Sequence, residues 1–167
     1  MYDELTEVDI KKMREELDYR TKELRPKILE DVKTARAFGD LSENFEYKAA
    51  KREKSRNESR IRYLERMIAT AKIITVKTTG DTVGLFDKVE LYFEDDNELQ
   101  TIQLVTTLRQ NALKGLISKE SPVGKAILGH KVGDRVSVEV NPDYSYCVVI
   151  RNIEKGQDDE SLDILGY

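Results

Sequence analysis

The sequence predicts a two-domain α+β protein: a long N-terminal antiparallel helical hairpin, then a small antiparallel β domain with one short helix. Three observations carry this. Apolar residues recur at three- and four-residue spacing through the first 74 positions and at two-residue spacing after Thr75. Charged residues make up 36% of the 167-residue chain against 39% apolar. That is more charge than a compact globule carries and suits long exposed helices. The helical segment holds one glycine, Gly39, near its middle, where a chain reversal belongs. The boundaries are 1–74 for an antiparallel coiled coil with an acidic tip loop at 38–44, 75–155 for the β domain, and 156–167 for an acidic, mobile tail.

The elements follow in order. Ile10, Met13, Leu17 and Leu24 form one apolar face, and Ile28, Val32 and Ala35 continue it with a shift. Pro26 marks the shift, because a proline inside a helix removes one hydrogen bond, so a kink is expected near Leu24–Pro26. Tyr47, Ala50, Lys54, Asn57, Ile61, Leu64, Ile68 and Ala71 make a heptad seam. Folding the two runs back across the short link 38–44 sets Ala35 near Tyr47, Ile28 near Lys54, Leu17 near Leu64 and Ile10 near Ala71. Lys54 and Asn57 would then be polar seam residues that fix register.

Beyond Thr75, Val89, Leu91 and Phe93 alternate with polar residues, Asp95–Asn97 is a turn, and Leu99–Val105 returns. Ser121, Pro122 and Gly129 bracket a short helix. Val136, Val138 and Val140 alternate, Asn141-Pro142-Asp143 turns, and Tyr144–Ile150 is the last strand. The tail is polar, although Leu162, Ile164 and Leu165 give it apolar side chains able to dock.

Composition excludes several classes. One cysteine, Cys147, cannot form a disulfide within the chain, and one histidine, His130, removes histidine-rich metal sites and most Ser-His-Asp chemistry. No apolar run approaches the ~20 residues of a membrane span. Met1–Ile10 lacks the basic and apolar regions of a signal peptide, so a soluble cytoplasmic protein is expected.

The net charge of -4 hides a division. Residues 1–74 hold 18 Lys and Arg against 16 Asp and Glu, whereas 75–154 hold 9 against 12. Lys48 to Arg66 concentrates eight cations against three glutamates. Lys48, Arg52, Arg56 and Arg60 stand four apart and would form one stripe suited to a phosphate backbone, or else a solvated flank paired with glutamates. On the link, Asp40 and Glu43 are two carboxylates three residues apart. They can share one hard cation such as Mg²⁺ with ligands from another molecule. The same spacing also reads as a capping box for the second helix, with Asp40 at the N-cap and Glu43 at N3.

Two runs carry a resemblance. The first is Ala35-Arg36-Ala37-Phe38-Gly39-Asp40-Leu41-Ser42-Glu43-Asn44-Phe45-Glu46-Tyr47-Lys48-Ala49-Ala50-Lys51. The second is Ile117-Ser118-Lys119-Glu120-Ser121-Pro122-Val123-Gly124-Lys125-Ala126-Ile127-Leu128-Gly129, followed by Val132-Gly133-Asp134. With Arg25-Pro26 and Arg60-Ile61, the chain from about Leu5 to Glu154 resembles the bacterial Gre factor family, the GreA/GreB transcript cleavage factors, of GreA type. Arg52 stands where that family often has Glu, Phe45 stands where it usually has a small residue, and Leu5-Thr6-Glu7-Val8-Asp9 lacks its early Gly.

The resemblance implies a C-terminal domain of FKBP-like fold. It also implies a monomeric accessory factor, itself no enzyme, that enters the secondary channel of bacterial RNA polymerase and meets the RNA 3′ end of a backtracked transcript. Asp40 and Glu43 would hold an Mg²⁺ shared with the polymerase, with none bound by the isolated protein. Lys48, Lys51, Arg52 and Arg56 would face RNA or the channel wall, and Ser121 and Pro122 would dock on the polymerase. Two alternatives stand beside this: a channel-binding regulator that does not stimulate cleavage, and a prolyl isomerase or chaperone on a stalk.

Overall fold

The computed structural model describes residues 3–39, 44–76, 80–158 and 160–166. The chain divides into two compact units, residues 10–71 and residues 3–9 with 72–166. Among the described residues no helix is long and apolar enough to cross a membrane.

The first unit is the helical hairpin. Its outgoing arm is α1 (Glu7–Tyr19), a π-helical turn over Arg20–Leu24, and α2 (Arg25–Arg36). The returning arm is α3 (Phe45–Thr70), 26 residues and about 39 Å at 1.5 Å rise. The kink expected at Pro26 takes the form of this π turn. The Arg25 N–H reaches back five residues to the Arg20 carbonyl, and Pro26, which has no N–H to donate, follows at once. Such a bulge rotates the helix face, which accounts for the shift of the apolar stripe.

The seam is built from Ile10 and Met13, then Ile28, Val32 and Ala35, facing inward as do Ala50, Ile61, Leu64 and Met67. Three positions differ from expectation. Lys54 is exposed, Met67 is buried where Ile68 is only half-buried, and Arg60 is buried. Asn57 is buried as expected.

Polar pairs cross this seam. Arg20 Nη1 donates to Asn57 Oδ1 at 2.9 Å, and Asn57 Nδ2 returns a bond to the Arg20 carbonyl at 3.3 Å. Arg60 grips Glu16 through two bonds of 3.1 and 2.9 Å. Arg25 grips Glu58 through bonds of 2.8 and 3.0 Å. Glu16 thus meets Arg60, one helical turn tipward of Leu64, the level expected for its neighbour Leu17.

The second unit carries a five-stranded sheet in the order β5-β4-β3-β7-β6. Its strands are β3 (Lys88–Phe93), β4 (Glu98–Val105), β5 (Leu116–Ser118), β6 (Arg135–Asn141) and β7 (Tyr144–Glu154). All neighbours are antiparallel except β4 and β5, which pair in parallel, so the wholly antiparallel expectation is corrected. A second small ladder pairs β1 (Glu4–Leu5) with β2 (Lys72–Ile73), also in parallel. The alternating residues Val89, Leu91, Val136, Val138, Val148 and Ile150 form the core, and Ile127 of α4 (Pro122–Ile127) covers it.

Residues 3–9 complete this unit. Thr6 and Asp9 exchange bonds at the start of α1: the Thr6 N–H donates to Asp9 Oδ2 at 3.0 Å, and the Asp9 N–H donates to Thr6 Oγ1 at 3.3 Å, a capping-box arrangement. The other Asp9 oxygen accepts from Arg109 Nε at 2.6 Å, with both side chains fully buried. Arg109 also pairs with Asp158 at 2.5 Å and lies 5.1 Å from the Phe86 ring centre. Phe86 holds φ at +69, and a Cβ on Gly156 would stand 2.0 Å from its carbonyl oxygen, so only glycine permits this approach. The tail read from composition as mobile has defined contacts: Asp158 with Arg109, Leu162 against the Phe86, Val105 and Leu116 cluster, and the Leu165 N–H to the Leu108 carbonyl.

Candidate functional site at the hairpin link

α2 ends at Arg36 because its last N–H groups converge on few carbonyls: the Ala37 N–H meets both Lys33 and Thr34 oxygens at 3.2 Å. Gly39 follows with φ +109, a conformation other residues rarely take. α3 begins at Asn44, whose Oδ1 accepts the Tyr47 N–H at 2.9 Å while its Nδ2 donates to the Ala35 carbonyl at 2.7 Å. One side chain therefore caps the returning helix and ties it to the end of the outgoing one.

Asp40 and Glu43 lie outside the described residues. The cap itself bears on them. The capping-box reading put Asp40 at the N-cap and Glu43 at N3, whereas Asn44 holds the N-cap and Tyr47 stands at N3. The cap of α3 therefore requires neither carboxylate. As donors they are hard oxygens with no His or Cys beside them in sequence, a set that fits Mg²⁺ rather than zinc. Among the described residues no group of three or more His, Cys, Asp or Glu side chains could hold a metal ion.

Cations surround the start of α3. Lys48 Nζ stands 5.7 Å from the Phe45 ring centre. Arg36 and Lys51 stand 5.6 and 5.4 Å from that of Tyr47. The hydrogen bond from Arg36 holds the Tyr47 hydroxyl below its usual pKa, with the charges of Lys51 and Arg36 adding to it.

The predicted basic patch divides by helix geometry. Lys48, Arg52 and Arg56 are exposed on one stripe, while Lys51 belongs with Tyr47. Arg60 leaves the stripe, since it is buried against Glu16. Arg52 and Arg56, with Arg20 and Glu53, line a groove of about 430 Å³ floored by Leu24, Ile28 and Ala49. The Arg60–Glu16 and Arg25–Glu58 pairs join residues more than thirty positions apart, and no local pattern announces them.

Ser121 and Pro122 open α4. Ser121 Oγ accepts the Gly124 N–H at 3.0 Å and donates to the Ser118 carbonyl at 2.7 Å, so Ser121 is used by the fold. Pro122 is exposed at the first turn. A Cβ on Gly124 would stand 2.2 Å from the Ser118 oxygen, which makes glycine obligatory where the helix closes on β5.

The family model described as "Transcription elongation factor, N-terminal" matches residues 4–73, and "Transcription elongation factor, GreA/GreB, C-term" matches residues 77–155. A protein of Rhizobium etli (strain CIAT 652) named transcription elongation factor GreA is 44% identical over 138 residues, covering 82% of this chain and 86% of its own. Its namesake in Thermoanaerobacter pseudethanolicus is 45% identical over 137 residues, covering 81% and 87%. The crystal structure of GreA factor homolog 1 of Thermus thermophilus is similar at 29% identity with a TM-score of 0.43, covering 92% of this chain and 99% of its own.

Proposed function

Since the chain belongs to the GreA/GreB family of transcription elongation factors, we propose that it stimulates transcript cleavage by backtracked RNA polymerase. In this reading the hairpin enters the secondary channel of the bacterial enzyme and brings its link to the extruded RNA 3′ end. It acts in the cytoplasm as a monomer, and the cleavage chemistry belongs to the polymerase. The observation that carries the reading is the cap of α3, which Asn44 makes with its own side chain and which needs neither Asp40 nor Glu43. Those two residues would hold an Mg²⁺ shared with the polymerase. The ion when bound activates water and neutralises charge on the phosphate. Lys48, Lys51, Arg52 and Arg56 hold the RNA backbone or line the channel contact by charge. Pro122, with Ser121 shaping the turn, serves docking on the polymerase.

The test is a stalled, backtracked elongation complex given the purified protein. The wild type is expected to shorten the RNA in Mg²⁺, and Asp40→Ala and Glu43→Ala are expected to lose most of that stimulation while still binding. Normal stimulation by Asp40→Ala overturns the metal assignment. Binding without shortening by the wild type favours a channel-binding regulator instead.

A further inference from the structure

Phe45 is the first residue of α3, and its side chain is 80% exposed. Nothing in the cap calls for a ring there, because Asn44 supplies the capping bonds through its own side chain. A single exposed apolar residue is unremarkable by itself, but the surroundings of this ring are specific. At 100° per residue Phe45 shares one face of α3 with Lys48, Arg52 and Arg56, all exposed. Lys48 Nζ stands 5.7 Å from the ring centre, within cation–π range, which restrains both side chains. The stripe from Phe45 to Arg56 extends about 16 Å.

The other exposed ring near the link, Phe38 (72% exposed), makes a contrast. It borders a hollow lined by Asp31, Glu46 and Glu53 and, among the described residues, by no cation, whereas the groove beside Arg52 and Arg56 has three arginines against Glu53 alone. Of the two rings, Phe45 is the one set at the head of a cationic track.

A flat apolar face followed by positive charges at helical spacing matches one chemistry: an unpaired nucleobase stacked on the ring, with its sugar-phosphate chain running along the cations. We propose that Phe45 is a stacking platform for an unpaired base of single-stranded RNA, with Lys48 setting the ring and Arg52 and Arg56 holding the phosphates. The inference rests on the proposed function for its place of action and adds to it a base-contacting residue outside the metal-holding pair.

The chain has no Trp, so Phe45→Trp creates a single reporter in the intact protein. Its emission should be quenched by a single-stranded oligoribonucleotide. Wild type and Phe45→Trp should bind the oligonucleotide about tenfold or more tightly than Phe45→Leu, which keeps apolar bulk without a flat face. An abasic strand of equal length and charge should bind the wild type as weakly as the normal strand binds Phe45→Leu. Circular dichroism of Phe45→Leu controls for loss of the helix start. Equal binding of normal and abasic strands, or wild-type affinity in Phe45→Leu, overturns the platform. So does a Phe45→Leu defect seen only in binding to polymerase, which would assign the ring to a protein contact. These readouts need no cleavage, so they fail separately from the metal assignment at Asp40 and Glu43.

Discussion

The two units bury charge in opposite ways. The hairpin puts polar pairs into its seam, and each keeps some access to water: the Arg60 side chain is 5% exposed but its partner Glu16 is 22%, and Arg25 and Glu58 are 38% and 29%. The β unit has an apolar core and sets one arginine wholly inside at its margin, with Asp9 equally buried. A two-layer rod has no deep interior, so a charged pair there loses only part of its hydration and can serve as a register pin. In the β unit such a pair is desolvated, and Thr6 supports it with two further bonds to the Asp9 carboxylate.

The largest expected effect tests the deep pair. Arg109→Ala leaves Asp9 buried without its counter-charge and should destabilise the β unit by about 3–5 kcal/mol in denaturant unfolding. A cost near 1 kcal/mol would mean that water reaches the site and that the contrast between the units is wrong. In the rod, Arg60→Ala removes two bonds to a half-exposed carboxylate and should cost about 1.5–3 kcal/mol, read from helical circular dichroism. A loss equal to that of Arg109→Ala would erase the distinction. Next, Asn44→Ala removes the α3 cap and the tie to Ala35, and about 0.5–2 kcal/mol of hairpin stability should go with it.

The smallest effect is acid sensitivity. A hydrogen bond from Arg25 holds the Glu58 carboxyl below its usual pKa in the rod, and Arg135 does the same for Glu94 in the β unit. A carboxyl depressed in the folded state stabilises fully above its unfolded value, near 4.3, and loses that contribution as pH falls through the lower folded value. Thermal melts between about pH 5 and pH 3 should therefore show a shallower decline for Glu58→Gln and Glu94→Gln than for wild type. Both differences should be small, because solvent screens these pairs.

The division into two units was legible in the sequence, but their buried charges were not. The change of period at Thr75 separates the helical hairpin from the sheet, and the heptad seam places Asn57 correctly. Reading failed where the deciding partner is remote. Arg60 looks like part of a surface stripe until Glu16, 44 residues earlier, pulls it inward. Lys54 sits on the heptad but is exposed, whereas Asn57 on the same seam is buried. The Thr6-Glu7-Val8-Asp9 spacing is a legible capping box, yet nothing near it points to Arg109. At the candidate site, Asn44 competes with Asp40 for the cap, and spacing alone cannot rank two residues that both cap well.

The pairing of β1 with β2 has a consequence for the order of folding. Asp9 and Arg109 are separated by 100 residues, a costly closure for an open chain. The hairpin, residues 10–71, lies wholly between them. Once it has zipped and Leu5 stands against Ile73, the remaining gap is the stretch of about 37 residues from Lys72 to Arg109. That saves roughly 1 kcal/mol of chain entropy by the logarithmic rule. Pulse-labelled hydrogen exchange during refolding should then find α3 amides protected before those of β7. In this order the hairpin shortens the loop that the buried pair must close.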